Sequence, residues 1–167
     1  MDNSVFMSRG GAAGARVDEL IRAAAKSIDA AIYRFNHPQR LDALAAAAAR
    51  GIRVRLVLDR HKYEESRSTQ ELLRGSVIPF RLAFGRNGPG SKMHHKFAIV
   101  DSQILLTGSY NWTLESDEQN FENLILLPDR ESIELYAQEF QTLWTDAAPL
   151  EWHSSPHGAH RRNGSDL

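Results

Sequence analysis

A polar pattern set into an otherwise strand-like stretch, residues 91–111, constrains this chain more than any other feature. The stretch is SKMHHKFAIVDSQILLTGSYN and contains the spacing H-x-K-x4-D-x6-G-S-x-N. Its six specified positions are His94, Lys96, Asp101, Gly108, Ser109 and Asn111. Because each of these residue types makes up a few per cent of ordinary usage, chance would give the pattern at about one position in 10⁷–10⁸. The spacing therefore indicates a functional site.

The spacing also predicts local structure. The segment HHKFAIV is rich in β-branched and aromatic residues, as strands are, and side chains alternate along a strand. His94 and Lys96 should therefore point to one face, about 7 Å apart. Residues 101–107 have the sequence of a tight turn and an antiparallel return strand, which brings Gly108 and Asn111 back beside His94. A glycine allows close backbone approach, and a loop entering a helix offers free N–H groups to an anion. Together these features predict a phosphate site.

These residues resemble the HKD motif of the phospholipase D superfamily, whose members cleave phosphodiesters through a phosphohistidine intermediate. The resemblance extends to Glu122 and Asn123, where members with a single motif carry a Glu-Asn pair, and more loosely to residues 5–144. In size and single motif the chain is similar to the small bacterial endonucleases, piRNA-pathway endoribonucleases and mitochondrial cardiolipin hydrolases of that superfamily. The resemblance implies a phosphodiesterase without metal or cofactor, acting as an endonuclease that leaves 5′-phosphate and 3′-hydroxyl ends.

Cleavage of a phosphodiester without a metal needs a nucleophile, an acid for the leaving oxygen, and cationic or N–H donors around the phosphorus. The resemblance implies that one imidazole attacks while another protonates the leaving alkoxide. This chain has a single HxK, so we expect one half-site per chain and a two-fold symmetric homodimer in which both His94 rings meet. The two rings would then titrate as a coupled pair.

The other motif residues receive roles around this pair of rings. We expect Lys96 and Asn111 to hold the phosphoryl oxygens, and Ser109 to add a hydroxyl or backbone donor. Asp101, at the end of its strand, fits a structural hydrogen-bonding role better than a catalytic one. A surface pair for His94 and Lys96, and a simple helix cap for Asn111, are the alternatives.

Three further residues are candidates outside the core pattern. Glu122 is a lone carboxylate in an apolar strand and needs a partner there. We expect it to accept a hydrogen bond from the second ring nitrogen of His94, with a structural ion pair as the alternative. Trp112 is a candidate for stacking on a base, with a core position as the alternative. Arg86 lies in the Gly-rich loop that leads into the motif and is a candidate for substrate binding.

The predicted fold class is α/β, with a mixed, mostly parallel central sheet flanked by helices, as in the phospholipase D superfamily. Residues 27–59 read as strand–helix–strand, with Pro38 at the first helical turn, and so predict a parallel pair. Residues 1–152 form one predicted domain, and residues 153–167 a polar tail predicted to be disordered. His37 and His61 belong to no constellation and should be surface or capping residues.

Composition narrows the function classes. With no cysteine, the chain has neither disulfides nor thiolate metal sites, and we assign no metal ligands. The net charge of −1 conceals an asymmetry: residues 50–100 hold eleven Lys and Arg against four Asp and Glu, and residues 101–152 hold one against eleven. A polyanionic partner fits the basic half. There is no signal peptide or membrane-spanning run, which predicts a cytoplasmic protein without a membrane partner, although export or a larger parent protein stays open.

The sequence thus favours an endonuclease acting on DNA or RNA. Two alternatives remain open: a phospholipase that acts on cardiolipin or phosphatidyl headgroups, and a non-catalytic module that binds nucleic acid or dimerises. An intact set of motif residues argues against the last.

Overall fold

A computed structural model describes residues 3–149 of the chain as one sheet between two layers of helices. The strands are β1 (Ser4–Met7), β2 (Ser27–Ile32), β3 (Arg53–Asp59), β4 (Phe80–Gly85), β5 (Gly88–Lys92), β6 (Lys96–Val100), β7 (Ile104–Gly108), β8 (Asn123–Leu127) and β9 (Ala148–Pro149). The helices are α1 (Ala12–Ala23), α2 (Pro38–Ala49), α3 (Arg60–Glu65), α4 (Arg67–Arg74), α5 (Leu114–Glu118) and α6 (Arg130–Asp146), with a 3₁₀ turn at Arg9–Gly11. The predicted tail, residues 153–167, lies outside the described residues.

The strand order is β1-β8-β7-β6-β2-β3-β4-β5, with β9 also paired to β4. The mixed α/β class is confirmed, but the expected predominance of parallel pairs is wrong. Only β2–β3 and β3–β4 are parallel among the described strands, and the other pairs are antiparallel. The reason is that the second half of the sheet is built from the β6–β7 hairpin and from β8, with no crossover helix between parallel neighbours.

Local sequence explains the parallel unit. Helix α2 starts at Pro38, as predicted, and His37 caps it, because its ring Nδ1 accepts a hydrogen bond from the N–H of Arg40 at 3.2 Å. The helix stops before Gly51, whose φ of 87° suits glycine. Strand β3 then returns parallel to β2, in the predicted order.

Apolar side chains on both faces of the sheet form two cores, as is usual where helices cover both faces. One core lies against α1, α2 and α4 and includes Ile28, Leu44 and Leu56. The other lies against α6 and includes Phe97 and Phe140. Both faces of β6 are therefore packed, which holds the residues at its start in place.

Two local predictions are corrected. Residues 60–65, for which the sequence predicted no helix, form α3, because Asp59 Oδ1 caps the helix by accepting from the N–H of Lys62 at 2.9 Å. The Gly-rich segment before the motif, expected to be a loop, folds back on β4 as β5. Among residues 3–149, no helix combines the length and hydropathy needed to cross a bilayer.

Candidate active site

The motif lies at the edge of the sheet where the parallel strands end. Strands β2, β3 and β4 point their carboxyl ends to this edge, and the antiparallel β6 and β8 begin there while β7 ends there. In register, Lys96 lies opposite Ile32 of β2, and Gly108 lies opposite Leu124 of β8. The hairpin geometry predicted from the sequence is confirmed, because His94, Lys96, Ser109 and Asn111 return to one edge.

His94 is exposed just before β6, on a segment that is anchored on both sides. The carbonyl of His95 accepts from the N–H of Tyr33 at 2.8 Å, which extends the pairing of β2 with β6. The N–H of Met93 donates to Asp59 Oδ2 at 2.8 Å, and Asp59 is 0% exposed. The Tyr33 ring lies 4.2 Å from the His94 ring, centroid to centroid. The imidazole is thus held in place by neighbours from β2 and β3.

Lys96 lies directly beside this ring. Its Nζ donates to the carbonyl of His94 at 2.9 Å, and lies 3.3 Å from His94 Nδ1 and 4.8 Å from the centre of the Tyr33 ring. Partial burial, and then the positive charges of Lys96 and Lys92, lower the pKa of His94 against the opposing effect of Asp59. Burial likewise lowers the pKa of Lys96, against the effect of Glu122. Negative charge at this edge therefore does not balance the positive charge, and an anion bound here would stabilise the charged forms of His94 and Lys96.

Ser109 and Asn123 bind each other across β7 and β8. The N–H of Ser109 donates to Asn123 Oδ1 at 2.8 Å, and the N–H of Asn123 donates to Ser109 Oγ at 3.1 Å. Gly108 has a φ of 148°, and a Cβ there would collide with the carbonyl oxygen of Asn123. The close backbone approach predicted for Gly108 is therefore present. Asn111 Oδ1 accepts from the N–H of Arg34 at 3.1 Å, which fixes its carboxamide beside β2.

Glu122 is bound differently from the sequence prediction. Its carboxylate accepts from Ser109 Oγ, from Ser116 Oγ at 3.3 Å and from Asn120 Nδ2 at 3.2 Å. The expected hydrogen bond to the His94 ring is not made within the described chain. Strand β7 lies between β8 and β6, so the Glu122 carboxylate reaches Ser109, which directly follows β7, and not His94. Its effect on this edge is the electrostatic one on Lys96.

Asp101 occupies the other end of β6 and has the structural role expected of it. Oδ1 accepts from the N–H groups of Lys26 and Ser27 at 2.7 and 2.9 Å, and Oδ2 from that of Ala25 at 2.9 Å. Burial acts to raise the pKa of Asp101, but the three N–H donors together bring it below its ordinary value. The carboxylate ties the start of β2 to the β6–β7 turn, where Asp101 itself adopts φ 57°.

Two candidate substrate residues lie away from the ring. Trp112 is 3% exposed and packs against Phe35, with 6.2 Å between ring centroids, so the core alternative is correct and Trp112 cannot stack on a base. Arg86 is exposed in the turn between β4 and β5, and no contact in the described part of the chain joins it to the motif.

The sequence prediction missed Tyr33 and Asp59 as part of the site. Both lie at or just past the carboxyl ends of parallel strands, β2 and β3. That position is where α/β sheets place functional groups, and it is the signal that could have found them.

His37 is buried, contrary to a surface position, although its capping role is confirmed. Its Nε2 lies 2.7 Å from Asp117 Oδ2, and Arg40, 0% exposed, binds Asp117 and Asp18. The Arg40 guanidinium also lies 5.5 Å from the centre of the Tyr110 ring, next to Asn111 in sequence. This network supports the loop that carries Ser109 and Asn111 from beneath.

Within residues 3–149, no group of three or more His, Asp or Glu side chains is arranged to hold a metal ion. What the edge does present is one imidazole, one desolvated ammonium, a hydroxyl and a carboxamide. These groups can bind a phosphoryl group and supply one nucleophile or one acid per chain.

Comparison with known proteins agrees with this geometry. Residues 17–144 match the protein family described as "Cardiolipin synthase, PLD-like domain". The mitochondrial cardiolipin hydrolase of Homo sapiens is 35% identical over 150 residues, which cover 90% of this chain and 58% of that protein. The one from Xenopus tropicalis is 33% identical over 137 residues, covering 82% of this chain and 63% of that protein. The chain thus spans about three fifths of the length of these relatives.

Solved structures match over more of their length. Nuc from Salmonella typhimurium, a phospholipase D family member, superimposes with a TM-score of 0.80 at 28% identity, over 89% of this chain and 97% of that one. NucT from Helicobacter pylori gives a TM-score of 0.80 at 26% identity, over 89% and 98%. The family match, the relatives above 30% identity and the shared fold confirm the resemblance seen in the motif: this chain belongs to the phospholipase D superfamily of phosphodiesterases.

Proposed function

We propose that the chain is a metal-independent endonuclease that hydrolyses DNA or RNA through a phosphohistidine in a site shared by two copies. The observation that carries this proposal is the His94–Lys96 edge. Both groups have a lowered pKa there, and Glu122, the carboxylate that acts on Lys96, is held by Ser109 and Ser116. A phosphodiester supplies the missing negative charge, and one imidazole per chain supplies half of the acid–base chemistry.

The proposed reaction follows from the two chemical roles. Lys96 and Asn111 hold the non-bridging oxygens while His94 of one copy attacks phosphorus and forms the P–N bond. His94 of the second copy donates its proton to the departing 3′-oxygen. That second ring then takes a proton from water, which attacks phosphorus, breaks the P–N bond and leaves a 5′-phosphate. Protons and charge balance without a redox step, and a symmetric dimer is required because each chain brings one such ring.

Burial near the site favours nucleic acid over lipid. Access to a lipid needs exposed apolar side chains near His94, and the sequence offers a few such candidates beside the motif. Phe80, Met93 and Trp112 are all buried, and Phe84 is half-buried. The exposed neighbours are polar and include Lys92 and Arg34. A polyanion with polar bases fits this surface better than an acyl chain does.

Phospholipase activity is a second candidate because of two observations. Relatives above 30% identity include mitochondrial cardiolipin hydrolases. In addition, Phe121 is 83% exposed and Met7 is 56% exposed, on the two chain segments that meet beside Glu122. An apolar rim at that position is what access to a bilayer surface would use.

A substrate panel tests the proposal. Labelled DNA, labelled RNA and cardiolipin vesicles are incubated with the protein in excess chelator, beside His94→Ala and a matched control, His95→Ala. His95 is the adjacent residue of the same type, and its Nε2 lies 3.0 Å from Glu139 Oε1 on α6, on the opposite face. We expect nucleic acid cleavage that His94→Ala abolishes and His95→Ala retains. Cleavage that requires magnesium, or headgroup release with nucleic acid intact, would overturn the proposal.

A further inference from the structure

A pocket of about 240 Å³ adjoins the motif, between the carboxyl ends of β2 and β3 and the helices α3 and α4. Residues that the sequence did not single out line it, among them Tyr33, Arg34, Asp59, Lys62 and Glu65. The proposed mechanism leaves the pocket unused, since its chemistry takes place on the motif side of Tyr33.

Three of the lining residues also touch the motif. The Tyr33 ring lies 4.2 Å from the His94 ring, Asp59 accepts from the N–H of Met93, and the N–H of Arg34 donates to Asn111 Oδ1. The Tyr33 side chain therefore lies between the pocket and the phosphate site and contacts both. A group bound in the pocket and a phosphate bound at His94 are close enough to belong to neighbouring parts of one substrate.

The polar groups of the pocket select among possible occupants. Lys62 Nζ lies 2.5 Å from Glu65 Oε2 and 5.9 Å from the centre of the Tyr33 ring. An ammonium donor and a carboxylate acceptor thus stand side by side, which is the pattern that the edge of a nucleobase, carrying both acceptors and donors, can satisfy. The carboxylates of Glu65 and Asp59 balance the charges of Arg34 and Lys62, so the pocket offers no net positive charge to a second phosphate, such as that of a diphosphate lipid. The walls combine these polar groups with Leu58, Phe35 and Tyr63, so a flat ring with a polar edge fits them better than a wholly apolar acyl chain does.

We infer that this pocket binds the nucleoside next to the scissile phosphate, with the Lys62–Glu65 pair contacting the base edge. The inference rests on the proposed nuclease function and deepens it. It requires the base to be out of a duplex, because a base that enters a pocket cannot stay stacked and paired. The substrate class is therefore nucleic acid that is single-stranded at the cleaved position.

The test removes one base at a time. End-labelled single-stranded oligonucleotides carrying one abasic residue at a defined position are digested, and the cleavage rate at each phosphate is compared with that of the complete strand. One base contact is worth about 1–3 kcal/mol, which corresponds to roughly 5- to 150-fold. We expect cleavage at one phosphate beside the abasic residue to fall about tenfold, while distant phosphates are unaffected.

Variants assign that effect to the pocket. Lys62→Met should shrink the abasic effect to about twofold or less, and Glu65→Gln, the second variant, should shrink it too, since the pair acts together. Lys26→Met is the matched control, because Lys26 is exposed at the opposite edge of the sheet, where β2 starts. It should keep the full abasic effect. Thermal melting of each variant checks its folding.

The outcomes separate two failures. If oligonucleotides are cleaved but the phosphates beside the abasic residue react as fast as the rest, or if both pocket variants keep the full effect, the base does not bind in this pocket and the inference is overturned. If no oligonucleotide is cleaved while cardiolipin is, the nuclease function itself fails, and the pocket inference fails with it.

Discussion

The two ends of strand β6 differ in how their polar groups are satisfied. At the Asp101 end, three backbone N–H groups at the start of β2, those of residues 25–27, surround one carboxylate, and its pKa falls below the ordinary value. At the other end, burial and nearby positive charge lower the pKa of His94, and burial lowers that of Lys96. At the Asp101 end, N–H groups of the chain itself satisfy the carboxylate. At the His94 end, negative charge does not fully compensate the charged forms of His94 and Lys96.

This difference separates folding from chemistry inside one motif. Asp101 joins two segments far apart in sequence and therefore contributes to the stability of the fold. His94 and Lys96 favour the binding of an anion and therefore contribute to substrate binding and catalysis. Replacing residues at one end should therefore change stability, and replacing residues at the other should change turnover. The following variants test that separation.

Replacement of His94 should have the largest effect. His94→Ala removes the nucleophile of one copy and the acid of the other, so we expect phosphodiester cleavage to fall by about 10⁴–10⁶-fold. Because the side chain is exposed, the free energy of unfolding should change by less than about 0.5 kcal/mol. Steady-state kinetics and urea unfolding measure the two quantities. A variant that keeps a tenth of the activity would contradict the assignment.

Replacement of Lys96 should have the next largest effect. Lys96→Met removes the cation beside the phosphoryl oxygens, and we expect kcat to fall by about 10²–10³-fold. The pKa of the His94 ring should rise, because the charge of Lys96 lowers it in the native chain. NMR titration of the ring against the native protein measures this shift. An unchanged or lowered ring pKa would show that the two groups are not coupled.

Replacement of Asp101 should act on stability alone. Asp101→Asn disturbs hydrogen bonds to the N–H groups of residues 25–27, and we expect a loss of about 1–3 kcal/mol in the free energy of unfolding at pH 7. Activity per folded molecule should remain. The folded-state pKa is lowered, so the stabilisation is present above the unfolded value of about 3.9 and is lost as pH falls through the folded pKa.

The difference in the free energy of unfolding between the native chain and Asp101→Asn should therefore become smaller when the pH falls from 7 to 3. Urea unfolding at the two pH values measures it. An equal difference in unfolding free energy at the two pH values would mean that the charge of the carboxylate does not stabilise this end of β6.

The smallest effect concerns Lys92, whose charge also lowers the pKa of His94. Lys92→Met should raise that pKa by less than Lys96→Met does. The acidic limb of the pH profile of kcat/KM reports a pKa that, in the native chain, lies below the ordinary value of about 6.5. In Lys92→Met this pKa should be higher. A pH–rate profile measures the limb, and a shift toward lower pH would be the contradicting result.

Sequence reasoning succeeded where local rules act. Alternation along β6 places Lys96 correctly, and Gly108 meets the backbone of β8 as its position in the motif indicates. It failed for features that depend on how strands distant in sequence pair with one another. The sheet is largely antiparallel because β6, β7 and β8 pair by hairpins and return strands, and Glu122 meets Ser109 because β7 lies between β8 and β6. Tyr33 and Asp59 join the site for the same non-local reason.

The central claim is that each chain supplies half of the catalytic groups, and subunit mixing tests it most directly. Native chains are mixed with an equal amount of His94→Ala chains, allowed to exchange, and assayed for phosphodiester cleavage per native chain. If active sites need His94 from two copies, random pairing leaves about half of the native chains in all-native dimers, and activity per native chain falls to about half. Activity per native chain that stays constant at every mixing ratio would contradict the account.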